Sequence, residues 1–249
     1  MLTDKEREKI KKLILDIRRT CKNGYYLANL FNDKILKLKD PELSLFFCSY
    51  IIGADVLAHG KVVIDSGSAR DNYLFAKDIK GADVLAHGKA VIDSENASYN
   101  YLFARDIKGA DILAHGKVVT DSGDEMDNYL FAKNIYGADV LAHGKVVIDS
   151  GDARYNYLFA KNIEGADVLA HCKVVFENGD EGYNVKGKYL PFLCTILKES
   201  KVNGEVAQYF VDNMELIDDS CFDSKEEKYE TKRLLRYTKQ LNNILNKKL

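Results

Sequence analysis

The chain of 249 residues has no tryptophan, two prolines and three methionines, and its five cysteines are scattered. Each shortage excludes something. Cys21, Cys48, Cys172, Cys194 and Cys221 are odd in number and show no CxxC spacing, so neither a disulfide framework nor a zinc ribbon is indicated, and a reduced cytoplasmic setting fits them. No apolar run approaches the roughly 18 residues of a membrane span, and the charged start from Asp4 onward leaves no room for a signal-peptide core. A charge of one sign is lacking as well. The 36 Lys/Arg and 38 Asp/Glu leave a net −2, so nothing global points to nucleic acid or membrane. GxSxG, GxGxxG, Walker and HExxH patterns are all missing. The expectation is a non-enzyme with no cofactor, no metal and no evident small-molecule substrate.

What is there is repetition. Gly53, Gly81, Gly109, Gly137 and Gly165 open copies of one unit at a fixed period of 28 residues, without an insertion. A period in this range is the mark of a solenoid, in which each unit buries its apolar face only against its neighbours. The first copy, GADVLAHGKVVIDSGSARDNYLFAKDIK, divides into two segments between glycine and aspartate punctuation. Asp55 can cap a helix from about Val56 to Ser66, Gly67 can close it, Ser68 can cap a second from about Ala69 to Lys80, and Gly81 can close that one. Val62, Val63 and Ile64 with Gly60 allow a strand instead, but the second segment is helical in character in every copy, and a β-solenoid has no use for it. The fold class is all-α: an α-solenoid of tandem helix-turn-helix repeats with helical caps. Residues 1–52 form an N-terminal cap with a degenerate repeat, 53–178 the repeats and 179–249 a C-terminal cap. Thr3 and Glu6 make a capping box for a first helix from about Asp4 to Cys21, and Pro41 suits a helix's first turn.

On a helical wheel, Val56, Leu57, Gly60, Val63 and Ile64 share one face of the first helix, with His59 extending it. Gly60 there marks a close backbone approach. Ala69, Asn72, Tyr73, Phe75, Ala76 and Ile79 face inward on the second helix. All five histidines, His59, His87, His115, His143 and His171, occupy one repeat position, as do Asn72, Asn100, Asn128 and Asn156. Copies packed about 8–10 Å apart cannot share a metal held at about 2.1 Å, so both sets read as buried ladders. Protonation of the histidines is expected to weaken the fold near pH 5–6.

The wheel leaves Leu74, Leu102, Leu130 and Leu158 on the polar side of the second helix, beside Lys77, Arg105, Lys133 and Lys161. Either superhelical curvature or the neighbouring unit covers these leucines, or they form an exposed apolar ridge edged with positive charge, which is then the expected partner-binding surface. Variation among copies gathers at positions 68–71 and their counterparts, and at Lys80, Lys108, Tyr136 and Glu164. Basic residues crowd both ends, which gives an alternative: nucleic acid bound by Lys9, Lys12, Arg18, Arg19, Lys232, Arg233 and Arg236. Such clusters are more often the solvated faces of terminal caps.

The unit Gly137–Glu164, GADVLAHGKVVIDSGDARYNYLFAKNIE, resembles short αα-repeat proteins of bacteria and their phages, HEAT-like and TPR-like in kind, through its GAD and YxYxFA elements. The likeness spans roughly Pro41–Lys173. It implies the solenoid, in a family mostly of unknown function; a repeat scaffold without a catalytic device is expected to bind another protein or protein complex. With the Lys-, Asn- and Ile-rich usage of low-GC bacteria, it raises the expectation of a mobile-element-encoded adaptor or inhibitor, of an anti-defence or anti-CRISPR type.

Overall fold

The computed structural model describes residues 2–20, 24–178 and 229. All regular structure among them is helical: α1 Asp4–Thr20, α2 Gly24–Leu38, α3 Pro41–Tyr50, α4 Val56–Asp65, α5 Ala69–Asp78, α6 Val84–Asp93, α7 Ala97–Asp106, α8 Ile112–Ser122, α9 Glu125–Asn134, α10 Val140–Ser150, α11 Ala153–Asn162 and α12 Val168–Asn178. The fold is an α-solenoid of 28-residue helix-turn-helix repeats. The segment after residue 178, including the expected C-terminal cap, lies outside the described residues apart from Tyr229.

Local chemistry sets the helix ends. Asp55, Asp83, Asp111 and Asp167 accept hydrogen bonds from the backbone N–H groups of Ala58, Ala86, Ala114 and Ala170 at 3.0–3.1 Å, which caps the first helix of those copies. Ser68, Asn96, Asp124 and Asp152 do the same for the second helices. The capping box at α1 forms as the sequence predicts: the Thr3 N–H donates to Glu6 Oε2 at 2.7 Å and the Glu6 N–H to Thr3 Oγ1 at 3.3 Å. Pro41 opens α3 behind the cap Asp40. The second helices stop sooner than expected. Ile79 is already extended (φ −101°, ψ 112°) and turns its side chain into the core, and Gly81 follows at φ 90°.

The described residues belong to two compact units, 1–122 with 134–139, and 123–133 with 140 onward. In the first, each second helix packs most extensively on the first helix of the following repeat, α5 on α6 and α7 on α8, and α3 packs on α4 in the same way. First helices neighbour first helices (α4, α6, α8) and second helices neighbour second helices (α3, α5, α7), giving two layers with the core between them. Phe47, Phe75, Phe103, Val63, Val91 and Val119 are fully buried there. A buried side chain of that size contributes about 1.5–3 kcal/mol. In the second unit α11 packs on α12, and Tyr129, Val147, Phe159 and Ile163 form a buried cluster with residues of α9, α10 and α11.

Candidate partner-binding surface

Several polar residues of the repeat are occupied with one another in the interior. Asn72 Nδ2 donates to the carbonyls of Val63 at 3.0 Å and Ser68 at 2.9 Å, so its Oδ1 must accept from His87 Nδ1 at 2.7 Å. Asn100 holds His115 in the same way at 2.6 Å, and Asn156 holds His171 at 2.7 Å. Each asparagine thus ties the turn inside its own repeat to the first helix of the next. The imidazoles stack on Phe75, Phe103 and Phe159 with centroids 4.6–4.8 Å apart. Nε2 of His87, His115 and His171 has no hydrogen-bond partner. For His87 and His171 it faces Gly60 and Gly144, where an added Cβ would stand 3.2 Å from it. Burial pushes His59, His87, His115 and His171 down to about 4, against a smaller upward pull from Asp55, Asp83, Asp111 and Asp167. These neutral rings form a structural ladder, as the sequence implies.

The second-helix row differs from expectation. Leu74, Leu102, Leu130 and Leu158 are half-buried and pack into the core clusters, the first two against Tyr73, Val91, Phe103 and Ile107, the others against Tyr129, Val147, Phe159 and Ile163. A wheel treats a helix in isolation, whereas in the stack a flank position is covered by neighbouring elements. The cations beside them are exposed but engaged. Lys77 lies 5.1 Å from the Tyr73 ring centroid and bonds Asp106 at 2.8 Å, Arg105 lies over Tyr101 and bonds Asp106 at 2.6 Å, and Lys133 and Lys161 lie over Tyr129 and Tyr157. Asp106 is held well below the usual carboxylate range by Arg105 first, then Lys77 and Tyr73.

Sequence reasoning missed the tyrosine ladder behind these pairs. Tyr73 donates to Asp106 Oδ2 at 2.5 Å, whereas Asn134 donates to the Tyr101 hydroxyl at 2.9 Å and Asn162 to that of Tyr129 at 3.0 Å. The offset is 33 residues each time, and the proton reverses direction as Asp gives way to Asn. A tyrosine and an Asp or Asn fixed at this offset was the available signal.

It also misplaced the leucines that are exposed. Leu57, Leu85 and Leu113, in the first turns of α4, α6 and α8, are 68%, 73% and 68% exposed, and Leu141 of α10 is 66% exposed. The wheel put this position in the core because it centred the buried arc on the apolar residues. The actual arc centres on His59, Gly60 and Val63, which rotates Leu57 out onto one stripe with Lys61 and Asp65. Lys89–Asp93 and Lys117–Asp121 pair at 2.9 and 2.8 Å along the equivalent stripes. Between α6 and α8 a cleft of about 280 Å³ is lined by Val84, Leu85, Ile92 and Ala110 together with Lys89 and Asp111.

Of the basic alternative, Lys9, Lys12, Arg18 and Arg19 are exposed on α1, while Lys232, Arg233 and Arg236 lie outside the described residues. The strip is mixed in sign. Glu8, Lys11, Lys12, Asp16 and Arg19 share one shallow surface, Arg7 and Lys11 are drawn onto Asp40 and Glu42 of α3, Arg19 pairs with Asp16, and Arg18 lies over Tyr50. Among the described residues no three His, Cys, Asp or Glu side chains are placed to hold a metal ion, and no helix is long and apolar enough to cross a membrane. Compared with protein-family models, curated proteins and solved structures, the chain matches none.

Proposed function

We propose that the chain is a non-catalytic scaffold that binds another protein through its repeats, and that the first-helix leucines carry the contact. The observation behind this reading is Leu57, Leu85 and Leu113: large apolar side chains in water, on neighbouring helices of one unit, with no packing role of their own. A row of large exposed apolar side chains on one face is the kind of surface that serves as a contact site on soluble proteins. The copies have diverged at other exposed positions, with Arg70, Ser98, Met126 and Arg154 at one and Lys80, Lys108, Tyr136 and Glu164 at another, yet the Leu-Lys-Asp stripe is the same in all four. The expected second-helix row lies in the other layer of the stack, where Lys77 and Arg105 are held by Asp106. An inhibitor that occludes a host complex is one kind of protein that would use such a surface.

The test is affinity capture from the native host with the full chain and with a Leu85→Asp/Leu113→Asp variant of unchanged melting temperature. A cellular protein retained by the former and lost by the latter supports the reading. An identical set of captured proteins overturns it. Capture that depends instead on bound DNA or RNA, and weakens steeply with salt, favours the α1 basic residues.

A further inference from the structure

Resting on that reading, we infer that the surface of α4, α6 and α8 receives a basic amphipathic helix with an apolar anchor every seven residues, lying across the three helices. Charge is the first ground. The exposed groups on these helices and their caps are Lys61, Lys89 and Lys117 against Asp55, Asp65, Asp83, Asp93, Asp111 and Asp121. Each lysine is matched by the aspartate four residues on, at 3.6, 2.9 and 2.8 Å. The three capping carboxylates stand two residues before each exposed leucine; exposed Lys80 and Lys108 precede two of them in the connecting turns, while Glu95 lines the α6–α8 surface with Asp93 and Asp121, so two negative charges remain as surplus. A helix N-terminus offsets a charge by roughly half a unit, so the surface stays acidic beside its apolar row. A second copy of the same surface repeats that sign and is disfavoured, whereas a partner with Lys or Arg flanking its apolar residues is matched.

Spacing is the second ground. Packed first helices stand about 8–10 Å apart, and a helix advances about 10.5 Å in seven residues. Anchors at that interval fall into successive gaps between the rows, and the gap between α6 and α8 already holds the apolar cleft beside Leu85. Apolar residues at three- and four-residue spacing serve a helix lying along a groove; a helix crossing the rows needs the longer interval.

Three synthetic helical peptides test this against the full chain by fluorescence anisotropy: leucines seven apart with lysine flanks, the same leucines with glutamate flanks, and lysine flanks with leucines five apart. The first should bind at least about tenfold more tightly than either of the others. Leu85→Asp in the full chain should weaken it by a similar factor, although the added negative charge would strengthen a purely electrostatic attraction. Equal binding of the lysine and glutamate peptides, equal binding of the two spacings, or undiminished binding to the Leu85→Asp variant overturns the inference. So does self-association of the chain that Leu85→Asp abolishes, because the surface is then occupied by a second copy. Failure of all three peptides removes this partner chemistry, while the scaffold reading stands or falls separately on the host-capture comparison.

Discussion

At the scale of single residues, the repeat is built around a glycine, a histidine, a phenylalanine and an asparagine that only make sense together. Gly60 lets the Phe75 ring of its own copy and the His87 ring of the following copy close onto the backbone of α4; an added Cβ would meet them at 3.3 and 3.2 Å. The last copy shows the rule by its exception. Cys172 stands where the glycine would be, and the residues 15 and 27 positions further on, Gly187 and Glu199, are no longer Phe and His. The asparagine is the most exacting of the four, because its amide serves two carbonyls and an imidazole at once. Replacing Asn100 with alanine leaves the His115 Nδ1–H buried without an acceptor and removes the bonds to the Val91 and Asn96 carbonyls. A buried orphan donor costs about 1–3 kcal/mol, more than alanine's helix preference of about 0.7 kcal/mol returns. Denaturant unfolding of Asn100→Ala should therefore show a net loss of about 2 kcal/mol, whereas the exposed Ser98→Ala should change stability by less than about 0.5 kcal/mol.

At the scale of the helix and its turn, one copy departs from the pattern at a measurable disadvantage. The turn between first and second helix is closed by Gly67, Gly123 and Gly151 at φ 66°, 73° and 71°, but in the second copy Glu95 takes the same left-handed conformation at φ 56°. A side chain there is strained by about 1–2 kcal/mol, partly offset by the greater freedom glycine has when unfolded. Glu95→Gly should thus raise the denaturation midpoint by the equivalent of about 0.5–1 kcal/mol with an unchanged slope; a lower midpoint would remove this account of the turn. The elements themselves were legible in the sequence because caps and glycines are local signals: Asp55, Ser68 and Gly67 place the boundaries of α4 and α5 almost to the residue. The surface was not. Which side of a short helix faces water depends on what packs against it, and a wheel that counted histidine as marginal turned α4 until Leu57 was inside and left Leu74 outside on α5. Both placements are corrected once His59 is seen at the centre of the buried arc and α5 is seen covered by its neighbours. The Tyr73–Asp106 tie was invisible for a related reason, since it joins two repeats across 33 residues.

At the scale of the whole molecule, stacking multiplies a single residue's titration. Unit one holds His59, His87 and His115, each fully buried and each pushed down to about 4, while an unfolded histidine titrates near 6.5. Between these values the unfolded chain binds protons that the folded chain does not, so stability is complete above about pH 6.5 and is lost as the pH falls toward 4. The sequence alone suggested a narrower window at pH 5–6; the depressed titration widens it downward. Each such histidine contributes a slope of about 1.4 kcal/mol per pH unit within the window, and three that unfold together make it three times as steep. No tautomer relieves this, because Nδ1 of His87 and His115 already donates to asparagine and Nε2 faces no acceptor. Urea unfolding at pH 7.5, 6.0 and 5.0 should show the midpoint nearly constant above neutrality and falling steeply below it. His115→Gln, which carries no proton to gain, should flatten that fall by about a third even if its stability at pH 7.5 is lower. A slope unchanged by the substitution would mean that some other group, rather than the ladder of imidazoles, takes up the proton.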